Sequence, residues 1–205
     1  MRLLNILSIK KYFKVSSKNS LSINSRLKNS RVTIYGFDNS LNIKQSNLKN
    51  IKINIEGDNN SLTVDENCHI RNLSIIMLGN NLNLHIGKNC KIGEAQIVCA
   101  GEKSEVVIGD DVLMAHNIEI RNNDGHSIFD KNGTLLNPSK NIYIKNRVWL
   151  AQGCKILKGA TISEDSVIAM NSLVSKGLYP SNIILAGVPA KIVKNEIYWK
   201  ENLPL

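Results

Sequence analysis

Read in sixes from Ile142 to Gly177, one column of the chain stays aliphatic: Ile144, Leu150, Ile156, Ile162, Ile168 and Val174. The column two residues ahead runs Ile142, Val148, Cys154, Ala160, Ser166 and Ser172, apolar at first and then small. A period of six fits neither a helix, at about 3.6 residues per turn, nor a long strand alternating in twos. It fits a chain that makes a short strand, turns and begins again, so that every sixth side chain enters one narrow core. Three such strands close a coil of about 18 residues, the unit of a parallel β-helix built on hexapeptide repeats.

Upstream the repeat is longer. Gly36-Phe37-Asp38-Asn39-Ser40-Leu41 returns as Gly57-Asp58-Asn59-Asn60-Ser61-Leu62, then as Gly79-Asn80-Asn81-Leu82-Asn83-Leu84, and Gly101-Glu102-Lys103-Ser104 opens a fourth copy. Short alternating runs lie between them, such as Ile51/Ile53/Ile55 and Leu82/Leu84/Ile86. Gly and Asn tolerate positive φ and suit sharp corners, and an Asn at one place in each coil would stack as a ladder. These are oversized coils of the same solenoid. Ile86 and Ile92 begin the clear sixes, and Ile108, Met114 and Ile120 resume them. Ile108 and Ile144 lie a multiple of six apart, so the register is compatible across the polar insertion Arg121–Lys140 that separates them. Insertions in solenoids gather on one face, often the working one.

The predicted layout is all-β. Residues 1–30 form an N-terminal segment in which Leu3, Ile6, Leu7 and Phe13 line a short capping helix, with a weak membrane-surface anchor as the alternative. Residues 31–177 form the β-helix, with a loop insertion at 121–141. Residues 178–205 form a tail in which Pro180 and Pro189 stop the coil and Asn195–Asn202 make one last short helix.

The formal charge of +9 is spread thinly, and aromatics make up 5% of the chain. No nucleic-acid module accompanies that charge, so a phosphate-rich ligand or an anionic polymer fits it as well as plain solubility does. Cys68, Cys90, Cys99 and Cys154 lack metal-like clustering and read as small core residues. No secretory signal and no apolar run of about 20 residues is found, which predicts a cytoplasmic protein with no transmembrane segment. Serine elbows, Walker loops, dinucleotide motifs and zinc spacings are absent from the sequence, so no metal is expected.

Four histidines remain. His69 and His85 sit in coil text, and His116 follows a corner. His126 lies in the insertion, behind Asp124-Gly125 and ahead of Ser127. Imidazole titrates near neutrality and is a natural general base for a hydroxyl or amine nucleophile, with Asp124 near enough in sequence to orient it. An ordinary loop histidine is the other reading. Trp149 adjoins core Val148 and Leu150, so it points outward, either to another subunit or to a ligand. Lys176, Lys191 and Lys194 lie towards the C-terminal end and could meet phosphates or only water.

Taken together, the chain resembles the hexapeptide-repeat acetyltransferases, in the branch of galactoside, maltose, capsule and polysialic-acid O-acetyltransferases. The resemblance covers about Ile86–Lys194. It rests on Ile108-Gly109-Asp110-Asp111-Val112-Leu113-Met114-Ala115, on Asp124-Gly125-His126-Ser127-Ile128, on Val148-Trp149-Leu150-Ala151-Gln152-Gly153, on Ile168–Lys176 and on Ala186-Gly187-Val188-Pro189-Ala190-Lys191. It implies left-handed coils, a homotrimer with sites between subunits, and acetyl-CoA as donor. By the same match His126 is the catalytic base, Trp149 stands beside the acceptor and thioester, and Trp149, Gln152, Met170, Ser175, Lys176, Lys191 and Lys194 line the donor, with Asp124 kept in the reacting centre for its closeness to His126 in sequence. The acceptor it implies is a glycan hydroxyl in a cell-surface polymer, sialic-acid-containing in character. N-acetylation of an amino sugar or antibiotic, and a non-catalytic β-helix scaffold, are the competing readings. The chain departs from the pattern at Lys145, Ala151, Leu157, Ser163, Ala169 and Ser175, where the family's usual glycine is missing.

Overall fold

The computed structural model describes residues 13–202, and every regular element among them is a β-strand. The strands form a three-faced solenoid. The second face is the simplest, an eight-stranded parallel sheet that begins at Ser20–Ile23 and Ser40–Ile43 and ends at Ile142–Ile144, Ala160–Ile162 and Gly177–Tyr179. The first and third faces join into one sheet, because Asn47–Glu56 and His69–Asn80 run unbroken round the corner between them.

Register is kept residue by residue. On the first face Val32 pairs with Ile53, Ile53 with Ile75, Ile75 with Ile97 and Ile97 with Ile120. Further on, Ile120 pairs with Ile156 and Ile156 with Val174. Both six-residue columns point inward: Ile144, Leu150, Ile156, Ile162, Ile168 and Val174 are fully buried, and so are Val148, Cys154, Ala160 and Ser166. All four cysteines are free and buried, as core residues should be. Burial pushes the Cys99 thiol up to about 12 and the Cys154 thiol to about 11, because a thiolate there would lose its hydration.

The asparagine ladder is present. Asn39 Oδ1 accepts the Asn60 amide at 2.9 Å and Asn60 Oδ1 accepts the Leu82 amide at 2.9 Å. Their Nδ2 groups donate to the carbonyls of Gly57 and Gly79, both at 2.9 Å. Each buried amide therefore stitches its own corner to the next. The neighbouring glycine column has no room for a side chain: at Gly57, with φ of 118°, a Cβ would lie 2.0 Å from the Gly79 oxygen.

Three features differ from the sequence reading. First, coils begin earlier than residue 31. Phe13–Val15 pairs with Val32–Ile34, Ser20–Ile23 with Ser40–Ile43, and Leu27–Lys28 with Leu48–Lys49. Phe13 is thus in a strand, while Leu3, Ile6 and Leu7 of the expected capping helix lie outside the described residues. Second, coils continue past Gly177 through Tyr179 and Ile184–Gly187, with Pro180 at a corner where no ladder amide is needed. Ala190–Lys194 then folds back antiparallel onto Ile184–Gly187. Third, no helix forms over Asn195–Asn202. Glu196 takes φ of 56°, and the Ile197 amide and carbonyl are both bonded to Asn182. So short a segment gains little as an isolated helix.

Ile108 pairs directly with Ile144, so the 36 residues that part them in sequence are one coil and not two. The insertion is an excursion from a corner, and it leaves the register intact.

Asn60→Ala leaves the Gly79 carbonyl and the Leu82 amide without partners in a buried corner. It is expected to lower unfolding stability in urea by about 2–4 kcal/mol. Asn42→Ala, on an outward position of the preceding coil, should stay within about 0.5 kcal/mol of the parent.

Candidate active site

The excursion leaves the corner between the first and second faces, after Ile118–Arg121. Asn122 anchors its root. Fully buried, it accepts the Ala100 amide at 2.7 Å and donates to the Ala100 carbonyl and to Ser104 Oγ. The distal part is a small hairpin. Phe129 bridges Leu135, the Leu136 amide reaches the Ile128 carbonyl, and Asp130 caps the turn by accepting the Asn132 and Thr134 amides.

Asn137 closes the loop on itself. Its Nδ2 donates to the His126 carbonyl at 2.8 Å and to Asp124 Oδ2 at 2.9 Å, and its Oδ1 accepts the Ile128 amide at 2.7 Å. Asp124 also forms an ion pair with Lys158. The Lys158 ammonium, aided by the Asn137 amide, holds the Asp124 carboxyl below the usual carboxylate range. His126 is exposed, and its ring bonds to none of the described residues, Asp124 included. Asp124 therefore fixes the loop that carries His126 and leaves the imidazole exposed to solvent. Asn123, between the anchor and Asp124, has the one buried side-chain oxygen among the described residues that lacks a partner.

Three lysines run down this corner. Lys140, Lys158 and Lys176 lie 18 residues apart, one short coil each. Gly159 packs against two of them: a Cβ there would lie 2.9 Å from Lys176 Cγ and 3.4 Å from Lys140 Cδ. Ser175 belongs to the same corner, where its carbonyl accepts the Tyr179 hydroxyl at 3.0 Å.

The other expected residues stand elsewhere. Gln152 and Met170 line the opposite corner, between the third and first faces. There the Gly153 amide meets the His116 carbonyl and the Asn171 amide meets the Gln152 carbonyl. Trp149 points out from the third face, between Leu113 and Val167. Lys191 and Lys194 lie exposed on the terminal hairpin. Within one chain the expected residues thus fall into two groups, one around His126 and one around Trp149 and Gln152. Of the remaining histidines, His85 bonds Asp65 at 2.9 Å, and Lys44 bonds the same carboxylate, which makes a saturated surface cluster. Among the described residues no group of His, Cys, Asp or Glu could hold a metal ion, and no helix is long and apolar enough to cross a membrane.

No protein-family profile matches the chain. Among solved structures it is similar to the polysialic acid O-acetyltransferase OatWY, with 30% identity, 94% of this chain and 92% of that one covered, and a TM-score of 0.85. The chain belongs to the hexapeptide-repeat acetyltransferase family. The structure of the polysialic-acid-specific acetyltransferase NeuO superposes with a TM-score of 0.64 at 29% identity, covering 91% of each chain. A polysialic acid O-acetyltransferase of Neisseria meningitidis is 35% identical over 98 residues, which are 47% of this chain and 46% of that protein. Its counterpart in Escherichia coli O1:K1 is 36% identical over 98 residues, 32% of its length. The matched stretch thus spans a third to a half of these two curated relatives. The left-handed parallel β-helix expected from the sequence is the fold these structures share.

Within a hexapeptide-repeat acetyltransferase, Asn137, Lys140 and Lys158 are the residues that reading the sequence passed over. Lys140 and Lys158 carried a signal, since they precede Lys176 by whole coils. Asn137 carried none, because its partners are set by the path of an irregular loop.

Lys158→Ala should raise the Asp124 pKa towards the ordinary carboxylate value, read from its side-chain carbon shift in an NMR titration. The sign follows from a depressed carboxyl. The contribution of the Asp124 clamp is complete above the unfolded Asp pKa of about 3.9 and fades as pH falls through the lowered folded value. In the parent, the His126 loop should therefore lose protection from amide exchange only in that acidic range.

Proposed function

We propose that the protein is an acetyl-CoA-dependent O-acetyltransferase that modifies hydroxyls of an anionic, sialic-acid-containing surface polysaccharide. The observation that carries this reading is the near-full-length likeness to an enzyme named for that reaction, together with a solvent-facing histidine on a braced loop. His126 takes the proton from the acceptor hydroxyl. The oxygen attacks the thioester carbonyl, and a backbone N–H stabilises the tetrahedral oxyanion. Collapse breaks the C–S bond, and protonated His126 returns its proton to the departing thiolate. No acyl-enzyme forms; one cleft holding both substrates supplies the proximity.

That cleft is built between copies of the chain. The two separated groups of site residues support a homotrimer in which the His126 corner of one subunit faces the Trp149 face of its neighbour. The hairpin tip supports it too, since Ile128, Phe129 and Leu136 are 55%, 58% and 58% exposed and need a partner. Trp149, Gln152, Met170, Ser175 and Lys176 then line the pantetheine, while Lys191 and Lys194, joined by Lys140, meet the phosphates of CoA. Acetyl-CoA is a cytoplasmic metabolite, so the reaction belongs to the cytoplasm.

The acceptor reading draws on charge in the front coils. Lys28, Lys49 and Arg71 stack in register on the third face, and Arg31 and Lys52 stack round the corner. None of the five is in an ion pair with a described residue. A linear polyanion lying along the axis meets one cation per coil, about 4.8 Å apart.

His126→Ala should cut CoA thiol release on polysialic acid by about a hundredfold or more; full activity would remove His126 as base. The product should be an ester that hydroxylamine cleaves, whereas a resistant amide would favour the N-acetyl reading. A Lys49→Glu, Arg71→Glu double variant should raise the KM for polysialic acid about tenfold and leave the KM for acetyl-CoA unchanged.

A further inference from the structure

The last described stretch, residues 195–202, has no regular structure, yet it is pinned to the solenoid at several levels. Asn182 bonds the Ile197 amide at 3.0 Å and the Ile197 carbonyl at 3.1 Å. Trp199 Nε1–H donates to the Arg147 carbonyl at 2.8 Å, and the Arg147 guanidinium lies 5.6 Å above the Trp199 ring while Asp165 holds it at 2.6 Å. Glu201 takes the Lys91 ammonium through both oxygens, each at 2.7 Å. Asn182, Asp165, Arg147, Asp111 and Asn89 are the left-handed corners of successive coils, with φ of 55–59°. The tail therefore runs back along one corner of the solenoid, against the direction in which the coils advance.

Its central contact is with Trp149. The two indole rings lie 5.9 Å apart, tilted by 44°. Trp149 stands on a two-residue strand and faces outward, so the coil alone does little to restrict its side-chain torsions. Trp199 covers one side of the ring, and Arg147 fixes Trp199 in turn. Beside this contact lies a cleft of about 450 Å³ lined by Lys91, Leu113, Arg147, Trp199 and Lys200 among others.

We infer that residues 195–202 are a strap and that Trp199 is a positioning residue, which sets the orientation of the Trp149 ring in the transferase cleft. This rests on the reading above that Trp149 forms a wall of that cleft. A wall displaced by about 1 Å is enough to cost up to a hundredfold in rate.

The chain contains two tryptophans, so an exciton couplet in circular dichroism reports this pair alone. Trp199→Ala, and a chain ending at Lys194, should both lose the couplet and lower kcat/KM on polysialic acid about tenfold or more, with the melting temperature shifted by only a few degrees. Trp199→Phe should lose the couplet but recover most of the activity. Lys91→Glu and Glu201→Lys should each weaken the couplet, and the double reversal should restore it, a test that leaves both rings in place. A couplet absent from the parent, or lost with no change in kcat/KM, overturns the inference. Trp149→Ala separates the two layers: if it abolishes transfer while Trp199→Ala does not, the strap alone fails. If both leave transfer intact, Trp149 is no wall and the reading of the cleft fails with it.

Discussion

Everything in this molecule depends on the stacking of coils about 4.8 Å apart. At that spacing a side chain meets its own equivalent in the coil above and below before it meets anything else. A position therefore suits the fold only if the whole column suits it. An aliphatic column fills the core, a glycine column lets carbonyls approach where φ is positive, and an asparagine column bonds rung to rung. One wrong member disturbs two neighbours, which is why the pattern is so regular in text as well as in space.

The same constraint explains what the sequence reveals. The inward columns are legible because the fold repeats them, and the ladder at Asn39 and Asn60 is legible for the same reason. The front coil at 13–28 was harder to see. It lacks the corner glycine, with Ser16 in that place, although Asn19-Ser20-Leu21 repeats Asn39-Ser40-Leu41 and Asn19 Oδ1 accepts the Asn39 amide at 2.8 Å as a further rung of the ladder. The tail is illegible for another reason. Ile197, Tyr198 and Trp199 suggest a helical face, but Ile197 is held by Asn182 and Trp199 by Arg147, which local spacing cannot reveal, and Tyr198 stays exposed. At the site, His126 and Trp149 stood out by composition, whereas the Asn137 clamp and the lysine column belong to contacts between coils.

A prism also limits where chemistry can sit. Side chains alternate in and out along each face and backbone groups are consumed by the ladders, so irregular backbone exists only at corners, while the faces offer only their outward side chains. The His126 loop leaves one corner, Gln152 and Met170 occupy another, and Trp149 projects from the face next to it. A straight prism cannot fold these onto one another. Within one chain the two groups stay apart, and the hairpin tip leaves Ile128, Phe129 and Leu136 exposed.

The excursion itself costs the fold little. Ile108 and Ile144 pair as though the residues between them were an ordinary coil. Closing a longer loop adds only about 0.6 kcal/mol per doubling of its length. Its root is secured by Asn122 inside the core, and its outer end by Asp124, Asn137 and Lys158 outside it. The root and the outer end of the loop are thus secured by different residues a few positions apart. The columns hold the scaffold whatever the loop contains, and the loop can present a free imidazole because no column needs it.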